Sequence, residues 1–196
     1  DYAVKAKYDK GIAGALHFKG RVLAIKGKQK EALQYYSESL KIRQRIKDEI
    51  GTTASLNNMA MIYVDQGMTE LAIETFFSGL KIREKLGDKK GQATSLGNIG
   101  DAYSRQLDFD KAAEYYLRCL KIYEELNDKK GIGNANLSMA NLYKEKKDTT
   151  RAMPYFEKSI SLLQETKDYE SLSKTYFNLG AMLHEHGQYQ RSVLYC

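Results

Sequence analysis

Apolar and small residues fall along this chain at helical spacing, and the spacing itself repeats. Leu56, Met59, Ala60 and Tyr63 stand at i, i+3, i+4 and i+7. After a polar break at Asp65, Gln66 and Gly67 the stripe resumes at Ala72, Thr75, Phe76, Gly79 and Leu80. That period belongs to an amphipathic helix, so the stretch predicts two helices joined by a short turn. A shift of 40 residues lays the pattern on itself: LKIRQ, LKIRE and LKIYE begin at Leu40, Leu80 and Leu120, and Gly11, Gly51, Gly91 and Gly131 align. Gly20, Ala60, Gly100, Ala140 and Gly180 form one small-residue column, and Ala32, Ala72, Ala112, Ala152 and Ser192 another. Two columns are bulky, one of Tyr36, Phe76, Tyr116 and Phe156 ending at Cys196, the other of Leu23, Tyr63, Tyr103, Tyr143 and Leu183.

The period predicts one array over 1–196, with repeats near 13–52, 53–92, 93–132, 133–172 and an incomplete 173–196. Residues 1–12 read as the tail of an earlier helix and a joint. Each repeat is a helix pair whose small residue lets a neighbouring helix come close, while the aromatic fills the gap. No pair hides its stripe alone, so the expected fold is an all-α solenoid with one continuous core. The stretch Asp88-Lys89-Lys90-Gly91, nearly copied at Asp128-Lys129-Lys130-Gly131, lacks the first glycine and the hydroxyl of a phosphate-binding loop. It reads as a recurring joint with a helix-ending glycine. Pro154 falls about a turn into a second helix, predicting a small kink or a delayed start.

These columns resemble the tetratricopeptide repeat, whose pattern is met by Leu96, Ile99-Gly100, Tyr103, Ala112 and Tyr116. The chain departs from that pattern at Lys19 and Asn136, in otherwise apolar columns, and carries Gln44, Glu84, Glu124 and Gln164 in place of the closing proline. Its step is 40 residues instead of the usual 34, as in kinesin light chain, spindle-orientation adaptors and bacterial signalling arrays. The resemblance implies a right-handed superhelix of antiparallel helix pairs whose first helices line a concave groove for a peptide or partner helix. It places the ligand-facing positions at His17, Arg21, Asn57, Asn58, Met61, Asn98, Asp101, Arg105, Ser138, Asn141, Phe177 and Asn178. One column there is polar, Asn58, Asn98, Ser138 and Asn178, and amides both donate and accept, so the row suits a peptide backbone. Arg21 and Arg105 against Asp65, Asp101, Glu145 and Glu185 make the groove mixed in sign. The carboxylate clamp of chaperone-binding members would fall on His17, Arg21, Asn57, Thr94 and Asn98, so two clamp lysines are absent, which argues against a chaperone tail as ligand.

Composition narrows the function further. The net charge of +6, from 31 basic and 25 acidic residues, is interleaved and reads as a solvated surface. The near-neutral inner positions argue against single-stranded RNA, the weakest of three readings. Cys119 and Cys196 lie 77 positions apart without metal-ligand spacing, which fits a reducing, cytoplasmic setting, and Cys119 reads as an inert core thiol. No apolar run reaches the roughly 20 residues of a membrane span, and the start at Asp1 reads as that of an excised or processed piece. His184 and His186 are two apart, a spacing that sends helical side chains to different faces, so no metal is expected. No catalytic set is evident, and neither an enzyme nor a cofactor is expected. The leading expectation is a protein-interaction scaffold within a larger signalling or assembly protein; the alternative is a sensor array controlling an attached kinase, cyclase or DNA-binding domain. Val193, Leu194 and Tyr195, lacking a following repeat, predict end-to-end self-association.

Overall fold

The computed structural model describes residues 2–192. Its helices are α1 (Tyr2–Ile25), α2 (Gln29–Arg45), α3 (Glu49–Asp65), α4 (Thr69–Leu86), α5 (Lys89–Arg105), α6 (Phe109–Glu125), α7 (Lys129–Glu145), α8 (Thr149–Glu165), α9 (Tyr169–Glu185) and the short α10 (Tyr189–Ser192). They form two compact units, Asp1–Ser95 and Leu96–Cys196, with the boundary inside α5. In unit 1, α1 packs on α2, α2 on α3 and α3 on α4, and α1 also touches α3. In unit 2 the succession runs from α6 to α10, and α7 touches α9.

A single turn geometry joins the helices. Gly27, Lys47, Gly67, Gly87, Leu107, Asn127, Lys147, Lys167 and Gly187 all have positive φ, one every 20 residues. Each sits at the C′ position of a Schellman motif. At the first turn Gly27 N–H bonds Ala24 C=O at 2.9 Å and Lys28 N–H bonds Leu23 C=O at 2.9 Å, and the pattern recurs down the chain. At six of these turns the residue after C′ caps the following helix with its side chain. Asp48, Asp108, Asp128, Asp148 and Asp168 accept from the N–H three residues on, and Asp88 does the same for Gly91 at 2.9 Å. Lys28 and Met68 hold this place without a side-chain cap.

These caps move the helix starts. The first helices begin at Glu49, Lys89, Lys129 and Tyr169, four residues ahead of the expected 53, 93, 133 and 173. Gly51, Gly91 and Gly131 therefore lie in first turns and do not end helices. Their column is glycine for steric reasons: a Cβ on Gly51 would stand 2.9 Å from Arg43 Cδ, on Gly91 2.8 Å from Arg83 Cδ, and on Gly131 2.3 Å from the Tyr123 ring. Where the packing residue is Leu163, the column holds Ser171. Two further expectations are corrected. α1 runs unbroken where residues 1–12 suggested a joint, and α8 starts at Thr149 without delay although Pro154 lies inside it. The two apolar-column departures also resolve. Lys19 is exposed with its ammonium 4.3 Å from the Tyr35 ring centre, and buried Asn136 donates to Ile132 C=O at 2.7 Å.

Side-chain columns then build the cores. Ala32, Tyr36 and Ile62 cluster in unit 1; Ala112, Tyr116, Met139 and Leu142, and separately Ala140, Phe156, Leu179 and Met182, cluster in unit 2. Tyrosine pairs with glycine and phenylalanine with alanine. A Cβ on Gly20 would meet the Tyr36 ring at 2.8 Å and one on Gly100 the Tyr116 ring at 2.6 Å, whereas Ala60 and Ala140 share the repeat with Phe76 and Phe156. Buried Cys119 faces Gly97, and burial pushes its thiol up to about 12, so it stays protonated.

Candidate functional site

The first-helix positions singled out by the sequence divide between the two units, and the structure treats them unequally. In unit 1, α1 and α3 are joined by a polar network around His17. Asn58 Nδ2 lies 3.1 Å from His17 Nε2, and Ser55 Oγ lies 3.5 Å from His17 Nδ1. Ser55 Oγ also receives Arg43 Nη1 at 3.2 Å and donates to Ser39 Oγ at 3.5 Å, and Ser39 passes a hydrogen bond to Ala13 C=O at 2.7 Å. The contacts of Asn58, Ser55 and Ser39 are mutually consistent if His17 is neutral with its proton on Nδ1, leaving only Arg43 Nε of the network buried without a hydrogen-bond partner among the described residues. The environment enforces that state: burial, then the charges of Arg43 and Arg21, lower His17 to about 4.

Arg43 is itself buried. Its Nη1 also donates to Gly51 C=O, its Nε stands 4.0 Å from Asp48, and burial lowers its pKa against the opposing pull of that carboxylate. One repeat on, Arg83 makes the same clasp, to Gly91 C=O at 2.7 Å and Ser95 Oγ at 2.8 Å. Asn58 is thus turned into the helix packing by its bond to His17, while Arg21, Met61 and Asp65 are exposed and Asn57 is half-buried.

In unit 2, Asp101 accepts a hydrogen bond from Tyr116 Oη at 2.6 Å. Burial raises the Asp101 carboxyl above the usual range, Glu145 adds to the rise, and Tyr116 and Arg105 oppose it; the residue keeps contact with solvent, so the loss of hydration is partial. At Gly100 this bond accounts for the pairing with tyrosine, since the ring must pass between helices to reach Asp101. Glu145 accepts from Ser104 at 3.0 Å. Asn141 Oδ1 is buried and accepts no hydrogen bond from the described residues, so this amide also points inward. Asn98, Ser138 and Asn178 are half-buried, whereas Arg105 is exposed and Phe177 is 69% exposed.

Sequence reading passed over an apolar stripe on this face. Phe18, 63% exposed, occupies the fifth place of the amide column, and with Arg21 and the 84% exposed Ile25 it makes an i, i+3, i+7 row on α1. The signal was the column itself, which holds a phenylalanine where three later repeats have asparagine. Among the described residues no group of three His, Cys, Asp or Glu could hold a metal ion, and no helix is long and apolar enough to cross a membrane.

Comparison with known proteins agrees with this architecture. A family model described as Tetratricopeptide repeat matches residues 11–85 and 51–125, and a second of the same description matches 133–170. No curated protein matches the chain. Among solved structures it is similar to BtubC (BKLC) from P. vanneervenii, with 21% identity, TM-score 0.76, and coverage of 98% of this chain and 85% of that one. A putative kinesin light chain from Podosopora anserina with nearly identical TPR-like repeats shows 16% identity and TM-score 0.73 over 96% of this chain and 92% of its own. A Rap protein complexed with Competence and Sporulation Factor shows 17% identity and TM-score 0.81 over 92% of this chain but 50% of its own. At such identities the likeness is one of fold, that of an all-α solenoid of helix pairs.

Proposed function

The chain belongs to the tetratricopeptide repeat family, and on that premise we propose that its first helices bind a segment of a partner protein, the chain serving as an interaction module of a larger signalling or assembly protein. The observation that carries this reading is the exposure of apolar side chains at first-helix positions that packing does not use. Phe18 and Met61 in unit 1 are 63% and 44% exposed, and Phe177 in unit 2 is 69% exposed. Exposed aromatic and methionine side chains beside charged groups are the usual anchors of a protein interface. Arg21 and Asp65, one helical turn from Phe18 and Met61, supply both signs of charge, Arg105 adds a cation in unit 2, and Asn98, Ser138 and Asn178 remain the polar positions proposed to hold a backbone. The Rap protein complexed with Competence and Sporulation Factor offers a precedent for a repeat protein of this fold in a complex.

The test is a selection of random peptides on the folded chain, followed by affinity measurement of the enriched peptide. Phe18→Asp, Met61→Glu and Phe177→Asp should not disturb folding, since all three side chains are exposed. At least one should weaken binding by about tenfold or more, the size of one lost interface anchor. Equal affinity for all three variants would reject the first-helix face as the binding surface.

A further inference from the structure

Unit 1 carries a second surface at its turn edge. A cavity of about 500 Å³ opens at the joint of α2 and α3, with the apolar side chains of Ile46, Ile50 and Leu86, the cations Lys7, Lys10 and Lys47, and the carboxylates Asp48 and Glu49 in its lining. Lys10 lies 11 residues from Arg21 along α1, roughly 16 Å of helix, so the cavity is separate from the first-helix face. Its volume falls within the range of ligand pockets.

Two features give the cavity a chemical character. The first is its apolar floor. Ile50 is 71% exposed and Leu86 40% exposed, yet the places equivalent to Ile50 in the next repeats are Lys90, Lys130 and Glu170. The repeat therefore needs no apolar residue there for packing, and isoleucine at this joint stands out against water. The second feature is charge. Glu49, on the rim, is paired with Lys85 at 2.7 Å. Asp48 is bound to Gly51 N–H at 3.2 Å and stands 4.0 Å from both Lys10 and Arg43. No carboxylate of the described residues lies within ion-pair distance of Lys7 or Lys47. In unit 2 the lysines of the corresponding joint are neutralised, Lys129 by Glu165 and Lys130 by Asp168.

We propose that this cavity seats one leucine-sized side chain of an acidic protein segment, whose flanking carboxylates pair with Lys7 and Lys47. A cavity with exposed apolar side chains, its own two carboxylates already engaged and the ammoniums of Lys7 and Lys47 at its edge fits a side chain held between carboxylates better than the flat, continuous headgroup layer of an anionic membrane. The carboxylates steer the approach and are screened by salt, while the apolar side chain fixes the register.

A fluorescein-labelled peptide with a single leucine flanked on each side by three glutamates serves as the probe, followed by fluorescence anisotropy. Saturable binding is expected. It should weaken about tenfold for Ile50→Lys, the residue the repeat carries at 90 and 130, and similarly when the peptide leucine becomes serine. Lys7→Glu combined with Lys47→Glu should abolish it. Ile50→Lys should melt like the parent, so loss of fold does not confound the reading. Phe18→Asp and Met61→Glu should bind the probe normally, which separates this surface from the first-helix face. The proposal is overturned if no saturable binding occurs, if Ile50→Lys or the serine peptide binds as well as the parent, or if Ile50 instead governs binding to phosphatidylcholine–phosphatidylserine vesicles.

Discussion

His17 shows how one side chain can change the meaning of a whole column. Held neutral between α1 and α3, it accepts from Asn58 and donates to Ser55, so protonation would replace an acceptor with a donor facing a donor. Its folded pKa, about 4, lies below the ordinary 6.5. The unfolded chain therefore takes up a proton first as pH falls. The stabilisation is complete above about pH 6.5 and is lost on descending towards pH 4. Urea titrations at pH 7.0 and 4.5 should show the parent losing about 1–1.5 kcal/mol more than His17→Gln, a figure reduced for the half-exposed ring. Equal losses in the two proteins would mean that His17 titrates normally. The amide column was legible as a pattern, but the roles of its members were not. Nothing in a run of asparagines tells that Asn58 faces a histidine 41 residues earlier, because that contact depends on which helix lies beside which.

At the scale of the helix, period and pairing were plain in the sequence, and the boundaries were shifted by one turn. The error came from reading glycine as a helix end at 51, 91 and 131, where it makes room for Arg43, Arg83 and Tyr123. The true ends mix glycine with lysine, leucine and asparagine, since the Schellman turn tolerates a non-glycine residue at some expense in backbone energy. That expense is recoverable. Leu107 holds φ 61° and is 70% exposed, so it gives up little packing, and Leu107→Gly should raise stability by about 0.5–1 kcal/mol. Met68 stands where six other turns place a capping aspartate, and Met68→Asp should add about 1 kcal/mol. Thermal unfolding of the two single variants and their combination checks both, and the gains should add because the sites lie in different units.

For the molecule as a whole, the 40-residue period gave the helix-pair architecture directly, since each column keeps its place in the packing. The division into Asp1–Ser95 and Leu96–Cys196 had no counterpart in the sequence, where α5 looks like any other first helix. The expected self-association rested on Val193, Leu194 and Tyr195, which lie outside the described residues. In a repeat protein each element draws stability from its immediate neighbours, so damage should stay local. Gly100→Ala would press a methyl to 2.6 Å from the Tyr116 ring and should cost about 1–3 kcal/mol. Hydrogen exchange should then show amides of α6 and α7 losing protection while those of α1 to α3 keep theirs. Uniform loss along the chain would show a single cooperative block instead.

The turn that recurs every 20 residues also bears on how such a chain lengthens. The residue that closes one helix is followed at once by the residue that opens the next, and nine successive joints share one backbone geometry. A duplicated or deleted stretch of 40 residues would rejoin the chain with the same dihedral angles it had before, needing no new loop. Tandem duplication in the gene can therefore add or remove whole helix pairs in a single event, leaving selection to act on what each new pair displays.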